Sequence, residues 1–106
     1  MSPKPRPIKI SRSRAKEILR KAADDSSLVF LTGHAQKRMQ ERNITLTEIL
    51  RILGSGTIID GPAENLLKGN WECTVKGFSA GENLQVLVAI ERDEKNIIVV
   101  TVYYIG

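Results

Sequence analysis

The chain has 106 residues, and its 16 Lys and Arg against 12 Asp and Glu give a formal net charge of +4. This length fits one domain with a single hydrophobic core. One cysteine excludes an internal disulfide and any multi-cysteine metal site, and no apolar run approaches the roughly 20 residues of a membrane-spanning helix. Without a recognisable signal peptide, the protein is expected to be soluble and cytoplasmic, with no membrane partner.

The charge is unevenly distributed along the chain. Residues 1–53 hold twelve Lys and Arg against five Asp and Glu, whereas residues 54–106 hold four against seven, so the halves carry +7 and −3. A positive charge concentrated in one half favours a polyanionic partner, and nucleic acid is the commonest one. The other reading is the mild, unspecific basicity of many small proteins.

The first ten residues predict an extended basic arm, because three prolines alternate with Lys and Arg. A single domain is predicted over residues 11–106. It opens with an amphipathic helix over residues 13–23, whose apolar positions recur at helical spacing. Basic side chains at the start of this helix and on its outer face are candidate RNA contacts: Arg12, Arg14 and Arg20.

A short apolar strand over residues 28–31 leads into a second predicted helix. Thr32 is its predicted N-cap, and Asn43 ends it because asparagine tolerates the left-handed conformation of helix C-caps. Thr45 and Glu48 form a capping-box pattern for a third, mostly buried helix, which Gly54 ends.

The rest of the chain predicts β-strands. A short strand over 57–60 is followed by a turn at Gly61-Pro62 and a loop over 63–70. Three strands with short connections are then predicted over residues 71–78, 84–91 and 96–105.

The predicted fold class is α+β, with the helices packed on one face of a curled antiparallel sheet of four to five strands. In the sheet, Trp71, Cys73 and Val75 should share one face of their strand. Simple alternation along the last strand predicts one face with Thr101 and Tyr103 and the other with Val100, Val102 and Tyr104.

The second helix carries the sharpest functional signal. His34, Arg38 and Arg42 are four residues apart and form one stripe, because a helix turns 100° per residue. Lys37 and Glu41 lie beside the stripe. Ala35 and Met39 lie on the opposite side, where they can face a core. A plain solvated surface is the alternative explanation of such a stripe.

One imidazole beside two guanidinium groups suits chemistry on a phosphate. RNA can be cleaved without a metal, because its own 2′-OH attacks the adjacent phosphorus. His34 can transfer a proton near neutral pH, and Arg38 and Arg42 can stabilise the charge that develops on the phosphorane. Arginine suits this role because its planar fork matches phosphate oxygens and stays protonated.

A second proton-transfer group should come from another element. The last strand offers Thr101, Tyr103 and Tyr104, and Tyr103 could instead stack a base. Further candidates are Glu41, Lys68 and Lys76, of which Lys76 is also a candidate RNA contact together with Lys37. No metal or other cofactor is expected, because a lone histidine and a lone cysteine offer no ligand set.

The segment from Thr32 to Ile44 reads T-G-H-A-Q-K-R-M-Q-E-R-N-I. It resembles the T-x-H-A-x-x-R-M-x-E-R-x-I signature of the domain-of-unknown-function family numbered 4258. The resemblance continues through the Trp71 strand with Gly77 and through the strand from Val99 to Tyr103, and it covers roughly residues 28–105. Asn43 stands where glycine is usual, and both residues allow the left-handed cap.

The resemblance implies a RelE/ParE-like fold within the metal-independent RNase group. By residue, it carries the family motif onto the following positions: His34, Arg38, Glu41, Arg42, Thr101 and Tyr103. The function it implies is the toxin of a toxin–antitoxin pair, an endoribonuclease that cuts mRNA with or without the ribosome. Its expected partners are RNA and a cognate antitoxin protein. Two alternatives stay open: a non-catalytic nucleic-acid- or protein-binding module, and a ParE-like gyrase poison.

Overall fold

The computed structural model describes residues 9–105, so the predicted arm lies outside it except for Lys9 and Ile10. Over this range the chain forms three α-helices and five strands, and a 3-10 turn (Ser26–Leu28) precedes the first strand. The elements in chain order are α1 (Arg12–Ala23), β1 (Val29–Leu31), α2 (Gly33–Arg42), α3 (Leu46–Ser55), β2 (Thr57–Asn65), β3 (Asn70–Ser79), β4 (Glu82–Ile90) and β5 (Ile97–Tyr104). The predicted α+β class is confirmed. None of the described helices has the length and apolar character to cross a membrane.

The five strands form one open sheet in the order β1-β5-β4-β3-β2. Strands β2 to β5 pair antiparallel with one another, whereas β1 runs parallel to β5 and pairs Val29 with Ile97. The purely antiparallel sheet predicted from the sequence is therefore wrong at this edge. Short turns impose antiparallel pairing, but two helices and three strands separate β1 from β5, and a connection of that length permits parallel pairing.

The second strand is longer than predicted. Gly61 and Pro62 lie inside β2 rather than ending it, and the strand continues to Asn65. The pairing with β3 shifts register on both sides of Asp60, between Ile58 and Ala63. A proline is tolerated there because β2 is an edge strand, where a missing N–H need not disrupt the ladder.

One face of the sheet builds the core. Trp71, Cys73 and Val75 are all buried, as the alternation predicted. Helices α1 and α3 cover this face and contribute five of the largest buried side chains: Ile18, Leu19, Ile49, Ile52 and Leu53. Burial also raises the pKa of the Cys73 thiol to about 12, so this cysteine stays protonated near neutral pH.

Within residues 9–105, no helix covers the other face of the sheet, which we call the open face. The register places Phe30, Phe78 and Tyr103 on it, and these side chains are 53%, 66% and 40% exposed. The remaining two aromatic residues, Trp71 and Tyr104, lie on the packed face. Every strongly exposed aromatic side chain is thus on one side of the sheet.

A bulge in β5 interrupts the alternation assumed for that strand. Val99 pairs with Val88, but the next aligned pair is Thr101 with Leu87, so Val100 is an extra residue. Val99 and Val102 are both buried and Val100 is half-buried, so the simple alternation predicted for this strand fails at the bulge. Beyond the bulge, Thr101 and Tyr103 share one face, as expected, and the register places that face away from the core.

Gly77 lets α3 approach β3 closely. A Cβ atom on Gly77 would lie 2.8 Å from Cγ1 of Ile52, inside the packed layer. We expect Gly77→Ala to lower the free energy of unfolding by about 1–3 kcal/mol, the usual cost of overpacking. Urea unfolding followed by circular dichroism measures it.

Gly33→Ala is the matched control, because a Cβ on Gly33 meets no atom within 4 Å. Its unfolding free energy should be unchanged or slightly higher. Equal losses of unfolding free energy in the two variants would contradict the close packing of α3 on Gly77.

Candidate functional site

Thr32 fixes the start of α2 to β5. Its Oγ1 accepts a hydrogen bond from the Ala35 N–H at 3.0 Å, which confirms the predicted N-cap. The same hydroxyl donates to the Val100 carbonyl at 2.9 Å, and the Thr32 N–H donates to the Val99 carbonyl at 3.1 Å. One residue therefore ends β1, begins α2 and joins both to the neighbouring strand.

The end of α2 is held to the same strand. Asn43 adopts the left-handed conformation with a φ of 55°, as predicted for the C-cap, and the Ile44 N–H donates to the Met39 carbonyl at 2.9 Å. The Tyr104 hydroxyl donates to the Arg42 carbonyl at 2.7 Å. With both ends attached to β5, α2 has a defined position beside that strand.

The predicted stripe lies on the solvent-exposed surface of α2. His34 and Arg42 are exposed, Arg38 is half-exposed, and the flanking Lys37 and Glu41 are exposed. Arg38 Nη1 lies 4.0 Å from Glu41 Oε1, a solvent-exposed ion pair that contributes little to stability. These five side chains leave a histidine and three cations facing solvent.

Arg42 has an additional contact that the sequence did not reveal. Its guanidinium carbon lies 5.8 Å from the centroid of the Tyr104 ring, within cation–π range. Tyr104 thus supports Arg42 twice, through its ring and through the hydrogen bond to the Arg42 carbonyl. Tyr103 and Tyr104 were both candidates from the sequence, but only the strand register shows which of the two lies on the packed face.

Tyr103 and Thr101 lie on the open face of the sheet instead. Tyr103 pairs with Gln85, and Gln85 pairs with Lys76, so these three side chains form one row across three strands. Neighbouring strands are about 4.8 Å apart, which puts the strand positions of Tyr103 and Lys76 about 10 Å apart. Thr101 belongs to the next row, opposite Leu87. The fold therefore groups Lys76 with Tyr103, which are 27 positions apart in the sequence.

Arg12 and Arg14 at the start of α1 have structural partners. Arg12 donates two hydrogen bonds to the Gly61 carbonyl, from Nε at 3.1 Å and Nη2 at 3.0 Å. Arg14 contacts Glu94 and Glu17 at 2.9 Å each, and chiefly the hydrogen bond to Glu94 raises its pKa. Arg20 is exposed. Two of the three predicted RNA contacts on α1 therefore attach the helix to β2 and to the connection between β4 and β5.

Most of the chain, including α2, matches a known protein family. The family described as "Domain of unknown function (DUF4258)" matches residues 31–104, most of the chain. The chain belongs to this family. No curated protein and no solved structure matches it significantly. The matched range includes α2 and all of β2 to β5, so the stripe and the open sheet face both lie within the DUF4258 domain.

A hollow beside α2 was not expected from the sequence of this DUF4258 domain. It has a volume of about 590 Å³ and lies where α2 ends and the chain turns toward α3. Its lining residues are Gln36, Met39, Gln40, Asn43, Ile44 and Thr45. In the sequence, the feature that could have indicated this hollow is the presence of three carboxamide side chains within eight residues.

Among residues 9–105, no cluster of three or more His, Cys, Asp or Glu could hold a metal ion.

Tyr104→Phe tests whether the Tyr104 hydroxyl holds the end of α2. Loss of its hydrogen bond should lower the free energy of unfolding by about 0.5–1 kcal/mol, because this bond is partly solvent-exposed. Hydrogen exchange of the amides near Arg42 should become faster at the same time.

Tyr103→Phe removes a tyrosine hydroxyl from the open face of the sheet. It should change neither the free energy of unfolding nor the hydrogen exchange near Arg42. If both variants accelerate exchange in α2 equally, Tyr104 has no special role in holding the helix.

Proposed function

We propose that this DUF4258 protein is a metal-independent endoribonuclease with a RelE/ParE-like fold, acting as the toxin of a toxin–antitoxin pair. The observation that carries the proposal is the solvent-facing stripe of His34, Arg38 and Arg42 on a helix attached to β5 at both ends. A charge that stabilises a transition state must be held in position beforehand, and the attachment of α2 provides this preorganisation. The expected partners are RNA, free or on the ribosome, and an antitoxin that blocks the site.

The reaction follows from the chemistry of RNA. A base takes the proton of the 2′-OH, the 2′-oxygen bonds to phosphorus, and the bond from phosphorus to the 5′-oxygen breaks. The departing 5′-oxygen receives a proton. His34 serves as one proton-transfer group, and the guanidinium groups of Arg38 and Arg42 stabilise the negative charge on the phosphorane. The products are a 2′,3′-cyclic phosphate and a 5′-hydroxyl.

A non-catalytic nucleic-acid-binding module is the second candidate. The observation in its favour is that the Tyr104 hydroxyl, the one that contacts α2 from β5, already donates its proton to the Arg42 carbonyl. The basic stripe can bind phosphates without any second proton-transfer group. The two candidates differ in whether bound RNA is cut.

Replacement of the stripe residues separates catalysis from binding. We expect His34→Ala to abolish growth arrest and mRNA loss on induced expression. Arg38→Ala should reduce the cleavage rate by about 10²–10³-fold, the usual effect of one lost charge-stabilising donor. Quantitative primer extension on cellular mRNA measures cleavage, and circular dichroism checks that each variant folds.

Arg51→Ala is the matched control, because Arg51 is an exposed arginine of α3 outside the stripe. It should retain full toxicity. A fully toxic His34→Ala variant would exclude imidazole catalysis.

Metal removal and product analysis test the mechanism itself. Cleavage should persist in excess EDTA, and the products should carry a 5′-hydroxyl and a 2′,3′-cyclic phosphate or 3′-phosphate. RNA with 2′-deoxyribose at the cut position should stay intact, because the nucleophile is missing.

The assay should be run on naked RNA and on translating ribosomes. Products with a 5′-phosphate, or loss of naked-RNA cleavage in EDTA, would contradict the proposed mechanism. Intact RNA under both conditions, with retained binding, would favour the binding module.

A further inference from the structure

The polar side chains of α2 are divided between two sides of the helix. The charged ones include the stripe, whereas the uncharged amides Gln36 and Gln40 lie on the other side with Asn43 at the C-cap. Gln36 comes two positions after His34, which corresponds to a rotation of about 200° around the helix axis. The helix therefore presents a cationic flank and a carboxamide flank. Ala35 and Met39 pack against the fold between these flanks, so the expectation that they lie opposite the stripe is wrong.

The carboxamide flank borders the hollow of about 590 Å³. Met39 and the buried Ile44 contribute its apolar surface, and none of its lining residues is charged. The side chain of Gln36 is held by a hydrogen bond from its Nε2 to the Leu31 carbonyl at 3.3 Å. Gln40 and Asn43 are exposed. Four of the six lining residues are polar and exposed, so the hollow is an open surface depression that offers hydrogen-bonding groups beside a small apolar patch.

These features suit a flat, neutral ligand with hydrogen-bonding groups along its edge. Unpaired nucleobases have this chemistry, and side-chain amides of Asn and Gln recognise adenine by paired hydrogen bonds. A phosphate is a poorer fit inside the hollow, because none of the lining residues carries a positive charge.

We propose that the hollow beside α2 and the turn that follows it binds an unpaired adenine base of the RNA strand whose phosphate lies on the stripe. This inference rests on the proposed function for its RNA ligand, and it assigns base selection to Gln36, Gln40 and Asn43. Lys37 lies on the exposed crest of α2 between the two flanks and can contact the connecting backbone. Because the hollow and the stripe are on opposite flanks, the selected base belongs to a nucleotide near the cut rather than to the cut nucleotide.

Binding of uncleavable RNA tests this assignment separately from catalysis. Short 2′-O-methyl oligonucleotides of A, U or C lack the nucleophile, and fluorescence anisotropy reports their affinity for the full chain. The native protein should bind oligo(A) about tenfold or more tightly than oligo(U), the discrimination expected of one good amide–base pair. The double variant Gln36→Ala, Gln40→Ala should lose this preference and keep its affinity for oligo(U).

Gln85→Ala is the matched control, because it removes the same amide from the open face of the sheet. It should keep the preference for oligo(A). Arg38→Ala should instead weaken all oligonucleotides alike and reduce the salt dependence of binding.

Equal affinity of the native protein for the three oligonucleotides would overturn the inference. An unchanged preference in the double variant would overturn it as well, and would leave the hollow to a protein partner. A preserved oligo(A) preference without any cleavage of ordinary RNA would instead contradict the ribonuclease proposal and support the base site.

Discussion

The junction at Thr32 is the contact on which the candidate site depends. Its hydroxyl caps α2 and donates to the Val100 carbonyl, while its N–H extends the pairing of β1 with β5. A short parallel strand of three residues offers few hydrogen bonds of its own. The added contacts set where α2 leaves the sheet, and Tyr104 sets where the helix ends. The positions of His34, Arg38 and Arg42 relative to β5 follow from these two attachments.

Charge distribution in the folded protein differs from the charge distribution along the chain. The basic N-terminal half and the acidic C-terminal half meet directly where Arg14 contacts Glu94. Arg12 is likewise engaged with the Gly61 carbonyl. These contacts use cations of α1 to attach the helix to the sheet. The cations of α2 are less engaged, and this difference favours α2 over α1 as the surface that a polyanion would contact.

The sheet has two surfaces of different character. Helices α1 and α3 cover the packed face, and Gly77 provides the space for α3 to approach β3. The open face combines three exposed aromatic side chains with the row of Tyr103, Gln85 and Lys76. Tyr103 and Tyr104 are adjacent in sequence but belong to different faces. Adjacent residues of a strand point to opposite sides, so one tyrosine supports α2 and its neighbour stays on the open surface.

Local sequence determined the helices, because caps and apolar periodicity act within a few residues: Thr32, Asn43 and Thr45 have the predicted capping roles. It also determined the stripe, since four-residue spacing places side chains on one side of any helix. Tertiary structure alone decided the parallel pairing of β1, the continuation of β2 through Pro62 and the bulge at Val100. The first depends on a strand that is distant in sequence. The other two depend on the register with the neighbouring strand of a hairpin, which local residue preferences do not set. The pairing of Tyr104 with Arg42 likewise arises only where β5 meets α2. The hollow beside Gln40, in contrast, is lined by residues 36–45 alone.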